Sequence, residues 1–164
     1  MKRKIYTQLL QWKQESAGRT ALLIDGARRV GKSYTAEEFA RENYRSHITI
    51  DFNIAPKEVK DLFANSLHDL DSFFLYLSAI YNVELHDHDS LIILDEIQMF
   101  PRARAAIKYL VADGRYHYIE TGSLISIREN VKDILIPSEE RHVRMYPLDF
   151  EEFLWAMKEE PMLG

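Results

Sequence analysis

The segment GARRVGKS, residues 26–33, stands directly behind the apolar run Ala21-Leu22-Leu23-Ile24. It matches G-x-x-x-x-G-K-[ST], a pattern that demands a buried strand before it and a helix after it. A polyphosphate is bulky and heavily charged, and it must lie close to the backbone. Gly26 and Gly31 remove the Cβ atoms that would block this approach and admit unusual dihedrals. Between them lie Ala27, Arg28, Arg29 and Val30, whose amide N–H groups can turn toward an anion. A helix starting near Lys32 adds its positive end. Lys32 then reaches the β- and γ-phosphates of a nucleoside triphosphate, Ser33 offers a hydroxyl to Mg²⁺, and Tyr34 completes the segment. The alternative is an ordinary glycine-containing turn. The four fixed positions arise by chance in roughly one chain in a few hundred of this length. Here the flanking strand and helix patterns are present as well.

A second stretch supplies what a phosphate loop needs. LIILDEIQ, residues 91–98, is four apolar residues followed by two carboxylates. A buried strand ending in Asp95 can hold an acid at the sheet edge beside Ser33, where it orients a magnesium-bound water. Glu96 points toward the γ-phosphate side and acts as general base on the attacking water. The bland alternative is a pair of acids that leave a buried strand and meet solvent. Behind a phosphate loop the catalytic reading is the stronger.

The rest of the pattern alternates helix and strand, which indicates an α/β sheet with crossover helices. Tyr6, Leu9, Leu10 and Lys13 recur at helical spacing. Strands are predicted at residues 20–25, 48–52, 91–95, 116–120 and 143–146. Helices are predicted from Lys32 through Asn43-Tyr44, over 56–64 and from a cap at Asp71 to Tyr81. Another opens at Pro101 and ends at Gly114. A short helix is expected over 125–135. Asp149 and Glu152 form a capping box that opens a last helix bearing Phe150, Phe153, Leu154 and Met157. The expected fold is a three-layer α/β/α sandwich with a mainly parallel five-stranded sheet, the P-loop NTPase fold.

Composition removes several classes. With 164 residues the chain suits one domain. The net charge of -5 argues against a dedicated nucleic-acid binder. There is no cysteine, so disulfides and thiolate zinc sites are excluded. The N-terminus starts basic, but Gln8, Gln11 and Lys13 interrupt it, so it is neither a signal peptide nor an anchor. The longest apolar-rich stretch, residues 73–80, is too short to span a bilayer. A cytoplasmic protein without a membrane segment is expected.

With these pieces in place, the chain resembles the archaeal-type ATPase branch of the AAA superfamily. The resemblance rests on LLIDGARRVGKS, ITIDFN, LIILDEIQMFPRA, ETGSLIS and YPLDFEEFL, and it covers nearly the whole chain. YPLDFEEFL is rather specific, since a generic phosphate-loop enzyme has no reason to carry it. Members often have proline at Ala27 and glutamine at Arg29, both in the variable interior of the loop. The resemblance implies ATP and Mg²⁺ as ligands. No guanine-reading Asn-Lys-x-Asp segment is present. It also implies that the strand at 116–120 sits between the first and third strands, which brings Thr121 or Ser123 to the water or γ-phosphate. Arg141 is the implied arginine acting across a subunit interface, with Arg144 and Arg128 as rivals and a solvated surface charge as the bland alternative. Members usually continue into a lid or a C-terminal domain. Residues 1–164 are therefore expected to be an ATPase core truncated before such parts. Partners implied are a possible second copy and an unnamed protein, with nucleic acid reached only through regions outside this sequence.

His86-Asp87-His88-Asp89 has metal-ligand residue types, but it lies in a turn without a closed first shell and is read as a polar loop. Phe73, Phe74, Tyr76 and Tyr81 are read as helix packing rather than base stacking. Asp51-Phe52-Asn53 ends a strand near the nucleotide side. The leading function is Mg²⁺-dependent ATP hydrolysis that switches or moves an attached domain. A small-molecule or nucleotide kinase is the second reading, and a module that binds ATP without turnover is the third.

Overall fold

The computed structural model describes residues 3–27, 29–123 and 140–163. The predicted helix over 125–135, together with Arg28 and Arg128, lies outside them.

Helix α1 (Ile5–Ser16) leads into β1 (Ala21–Asp25), and α2 (Lys32–Asn43) follows the loop. Then come β2 (Ser46–Asp51), α3 (Lys57–Asn65), α4 (Leu70–Tyr81) and β3 (Ser90–Asp95). A 3₁₀ turn at Ile97–Met99 precedes α5 (Pro101–Asp113), β4 (His117–Gly122), β5 (Glu140–Arg144) and α6 (Phe150–Leu163). The strands form one sheet in the order β2-β3-β4-β1-β5, and every neighbouring pair is parallel. β4 does lie between β1 and β3.

All five residues of β1 and all six of β3 are buried, as parallel strands covered on both faces should be. Strand alternation sorts them into two cores. Leu22, Ile24, Leu91 and Ile93 pack with Leu9 and Trp12 of α1 and Phe39 of α2. Ala21, Leu23, Ile92 and Leu94 pack with Val59, Phe73 and Ile107 of α3, α4 and α5. The result is a three-layer sandwich around the predicted sheet. Of the aromatic run in α4, Phe73 and Phe74 are core residues, while Tyr76 is exposed. No helix among the described residues is long and apolar enough to cross a membrane.

Local chemistry sets the ends of these elements. Gly114 caps α5 in the left-handed region at φ 80°, as its position after the periodic residues predicts. The capping box is present: Glu152 N donates to Asp149 Oδ1 at 2.8 Å and Asp149 N to Glu152 Oε1 at 3.1 Å. Several boundaries differ from the predicted ones, and two of them have a plain local cause. The cap of α4 is Asp69, which accepts from Ser72 N and Ser72 Oγ. Asp71, the predicted cap, lies inside the first turn. β5 begins at Glu140 rather than at residue 143, because pairing with β1 starts at Ala21. Its exposed outer edge carries little of the apolar pattern that marks a strand.

Candidate functional site

Parallel topology points the C-terminal ends of β1, β3 and β4 to one edge of the sheet. Register then does the rest. Ile24 stands beside Thr121 and Leu94 beside Glu120, so Asp95 and Thr121 end side by side. The loop leaving β1 curls over them, and α2 starts at Lys32.

Ser33 Oγ donates to Asp95 Oδ1 at 2.6 Å. Thr121 Oγ1 donates to the same oxygen at 2.5 Å and accepts from Glu96 N at 3.1 Å. Asp95 is 7% exposed and Thr121 is fully buried, so Asp95 is held by two hydroxyls rather than by solvent. Ser33 keeps lone pairs free after giving its proton to Asp95. A hydroxyl beside a carboxylate is a hard oxygen set that suits Mg²⁺. Thr121 serves the acid pair directly. Ser123 lies on a cavity of about 340 Å³ whose walls include Asp25, Gly26, Ala27 and Arg144.

Lys32 is 5% exposed, and its Nζ donates to the carbonyls of Gly26 and Ala27 at 2.6 and 2.8 Å. The ammonium is thus inside the curve of the loop. Gly31 sits at φ 101°, a conformation that glycine adopts freely. Arg29 also lies at positive φ, 64°. Gly26 is constrained differently from the sequence expectation. Its φ is not positive, but a Cβ there would stand 2.5 Å from the Met145 carbonyl oxygen. The close approach is to the chain leaving β5. Gly26 N bonds Gly122 O at 3.3 Å, and Met145 N bonds Asp25 O at 2.7 Å, so both neighbouring strands grip the base of the loop. Val30 is buried against this core, and Tyr34 is 56% exposed.

Glu96 is partly buried, with a left-handed backbone at φ 56°. Gln98 Nε2 donates to Glu96 Oε2 at 2.5 Å across the 3₁₀ turn. Gln98 closes the segment LIILDEIQ without matching any part of the phosphate-loop pattern. Its signal is the two-residue spacing behind Glu96, which a tight turn can close. Asp25 was also missed: Arg144 reaches its Oδ2 with Nε at 3.2 Å and Nη2 at 3.0 Å. Arg141 is not near Ser33 or Asp95 in this chain. It lies beside Leu22 in register and pairs with Glu15 of α1 at 2.9 Å.

A buried polar group lies behind the site. Arg104 makes a two-point contact with Glu140 at 2.6 and 3.1 Å, and His142 Nε2 meets the same carboxylate at 2.6 Å. Burial works to raise the Glu140 pKa, but the hydrogen bonds from His142 and Arg104 and the Arg104 charge outweigh it and hold it down to about 2. Burial, with the Glu140 charge beside it, pushes Glu120 well above the usual carboxylate range.

A family model described as an AAA domain matches residues 18–154. Among solved structures, the chain is similar to the Aeropyrum pernix ORC1 protein in complex with DNA. The TM-score is 0.57 and the identity 14%, over 98% of this chain and 50% of that one. A DNA replication initiation factor gives a TM-score of 0.50 at 12% identity, over 99% and 52%. Drosophila ORC bound to DNA gives 0.51 at 12% identity, over 88% and 89%. The chain spans about half the length of the first two. At such identities the likeness is one of fold. No curated protein matches the chain.

Proposed function

The chain belongs to the AAA domain family, and from that premise we propose that it binds ATP at the loop from Gly26 to Ser33 and hydrolyses it with Glu96 as general base. The observation that carries this reading is the convergence of the Ser33 and Thr121 hydroxyls on one carboxylate oxygen of Asp95. Three segments far apart in sequence meet there, directly behind a phosphate loop. A structural acid would need no such hydroxyl pair beside an anion-binding helix end.

Lys32 and the loop amides hold the β- and γ-phosphates. Ser33 and Asp95 hold Mg²⁺, which when bound neutralises charge on the phosphate oxygens. Glu96 accepts the proton of a water whose oxygen attacks the γ-phosphorus. The bond from that phosphorus to the bridging β-oxygen breaks, and ADP and inorganic phosphate leave. Thr121 fixes Asp95 and the Glu96 backbone, so both acids keep their places as charge develops. Most of the rate gain is positioning and electrostatics. Arg141 acts across an interface with a second copy, reaching a neighbouring site by leaving its pair with Glu15. Turnover switches or moves an attached domain or protein partner.

Glu96→Gln tests this reading. The amide keeps the size of the side chain but cannot take the proton. We expect ATP to bind with near wild-type affinity while hydrolysis falls by ~10²-fold or more. Equal rates for mutant and parent would remove Glu96 from the chemistry. Phosphate appearing on an acceptor instead of in solution would turn the enzyme into a kinase, and tight binding without turnover by the parent would leave a non-hydrolysing module.

A further inference from the structure

Arg3 belongs to none of the sequence motifs, yet its side chain is 8% exposed and joins three separate segments. Nε donates to Glu152 Oε2 at 2.9 Å, Nη1 to the Val30 carbonyl at 2.8 Å and Nη2 to the Tyr146 carbonyl at 2.6 Å. Val30 lies inside the phosphate loop. Tyr146 follows β5. Glu152 lies in the first turn of α6, and it is fully committed. Its Oε1 accepts from Asp149 N to complete the capping box, while its Oε2 also accepts from Lys4 N at 2.8 Å. These hydrogen bonds from Lys4, Asp149 and Arg3 overcome the effect of burial and keep the Glu152 carboxyl below its ordinary value. It is therefore a charged anchor for the guanidinium.

The guanidinium is planar and rigid, with its donors in a fixed fork. Each of its three nitrogens serves a different segment, so none of the three segments can shift without distorting the bonds to the other two. The contact with Val30 matters most. A trans peptide points its C=O and the next N–H in opposite directions. By fixing the Val30 carbonyl, Arg3 fixes the Gly31 N–H on the far side of that peptide plane. The approach is close: a Cβ on Gly31 would stand 3.4 Å from Arg3 Nη1. A clip that only stabilised the N-terminus would not need to close on the carbonyl of a loop whose amides face an anion.

We infer that Arg3 is a positioning residue of the nucleotide site, and that through it occupancy of the loop is transmitted to α6. This rests on the nucleotide reading proposed above. Glu152, the second glutamate of YPLDFEEFL, thus has two tasks: it caps α6 and it holds the arginine that sets the loop.

The test compares the wild type with Arg3→Met, Arg3→Lys and Glu152→Gln. Calorimetry with Mg·ADP reads affinity. Amide hydrogen exchange over residues 150–157, with and without saturating Mg·ADP, reads the response of α6. In the wild type, nucleotide should slow exchange in this segment. Arg3→Met should bind about tenfold more weakly or worse and should show no α6 response even at saturation. Arg3→Lys keeps the charge but not the fork, and it should fall between the two. Glu152→Gln keeps an acceptor but loses the charge that anchors the guanidinium, so affinity and the α6 response should both fall, each by less than in Arg3→Met. If Arg3→Met does not fold, the lysine and glutamine variants decide. An α6 response of full size in the arginine variants, or none in a wild type that binds Mg·ADP, overturns the inference. A wild type that binds no nucleotide sinks the phosphate-loop reading itself, and this inference with it.

Discussion

Lys32 carries the sharpest residue-level expectation. Its ammonium is almost fully buried, and it bonds the carbonyls of Gly26 and Ala27 at the mouth of the loop. Those carbonyls are neutral acceptors, whereas a phosphate oxygen adds a full negative charge opposite the ammonium. The lysine is therefore held close to where an anion would draw it. Lys32→Ala should lower affinity for Mg·ATP by roughly thirtyfold to a thousandfold, the equivalent of about 2–4 kcal/mol. Calorimetry on the folded variant reads this, and an unchanged affinity would remove the phosphate-loop assignment. The neighbouring Ser33 and Thr121 work differently, since both give their protons to one oxygen of Asp95. They orient that acid and bring no charge of their own.

At the scale of elements, the base of the loop depends on β5 as much as on β1. Met145 N bonds Asp25 O, and the Met145 carbonyl fills the place where a side chain on Gly26 would go. Gly26→Ala must push the chain after β5 away from the loop. It should destabilise the fold by about 1–3 kcal/mol, as overpacking does, and weaken nucleotide binding at the same time. Thermal unfolding and calorimetry check the two parts. A fully stable variant that binds nucleotide normally would show that the contact yields freely. This dependence explains what the sequence made legible. The loop, the acid pair, Gly114 and the Asp149 to Glu152 box are local patterns, so period and spacing expose them. The contacts Asp25 to Arg144 and Arg3 to Val30 exist only because β1 and β5 pair in parallel and α1 returns beside them. No local pattern encodes such pairing. The predicted start of β5 falls three residues after the observed one, because only one residue in two on an edge strand faces the core. Likewise the spacing of Gln98 behind Glu96 acquires a meaning only through the turn that folds it back onto that acid.

For the whole molecule, acid stability turns on a histidine that joins four segments. His117 opens β4. Its ring packs edge-on against Trp12 of α1 and Tyr44 after α2, and the loop carrying His88 and Asp89 lies close by. Tyr44 Oη and His117 Nδ1 are 2.7 Å apart. Burial holds the Tyr44 phenol protonated far above its ordinary range, so the phenol donates and the imidazole accepts. Burial, reinforced by the charges of Lys13 and His88 against the opposing Asp89, lowers the His117 pKa to about 4. The sign follows from linkage. Below about 6.5 the unfolded chain takes up a proton at this site, while the folded chain stays neutral until about 4. His117 therefore favours the native state at neutral pH and loses that contribution as pH falls from about 6.5 to about 4. The full effect is up to about 3 kcal/mol. His47, also lowered by burial, acts in the same direction. Glu120 acts in the opposite one: its raised pKa means the unfolded chain releases a proton first, so folding gains as pH falls toward the ordinary carboxylate range. Glu140 acts in the same direction as His117 but at lower pH: its contribution is lost as pH falls from the ordinary carboxylate range to about 2, where the folded carboxyl is finally protonated. The net slope of the wild type mixes these terms, and the clean quantity is a difference. His117→Gln keeps an acceptor for Tyr44 but cannot titrate. Its stability relative to the wild type, measured by urea unfolding at pH 7.5 and at 4.5, should improve as the pH is lowered. An identical pH dependence in the two proteins would mean that His117 takes up its proton equally well in the folded and unfolded chains.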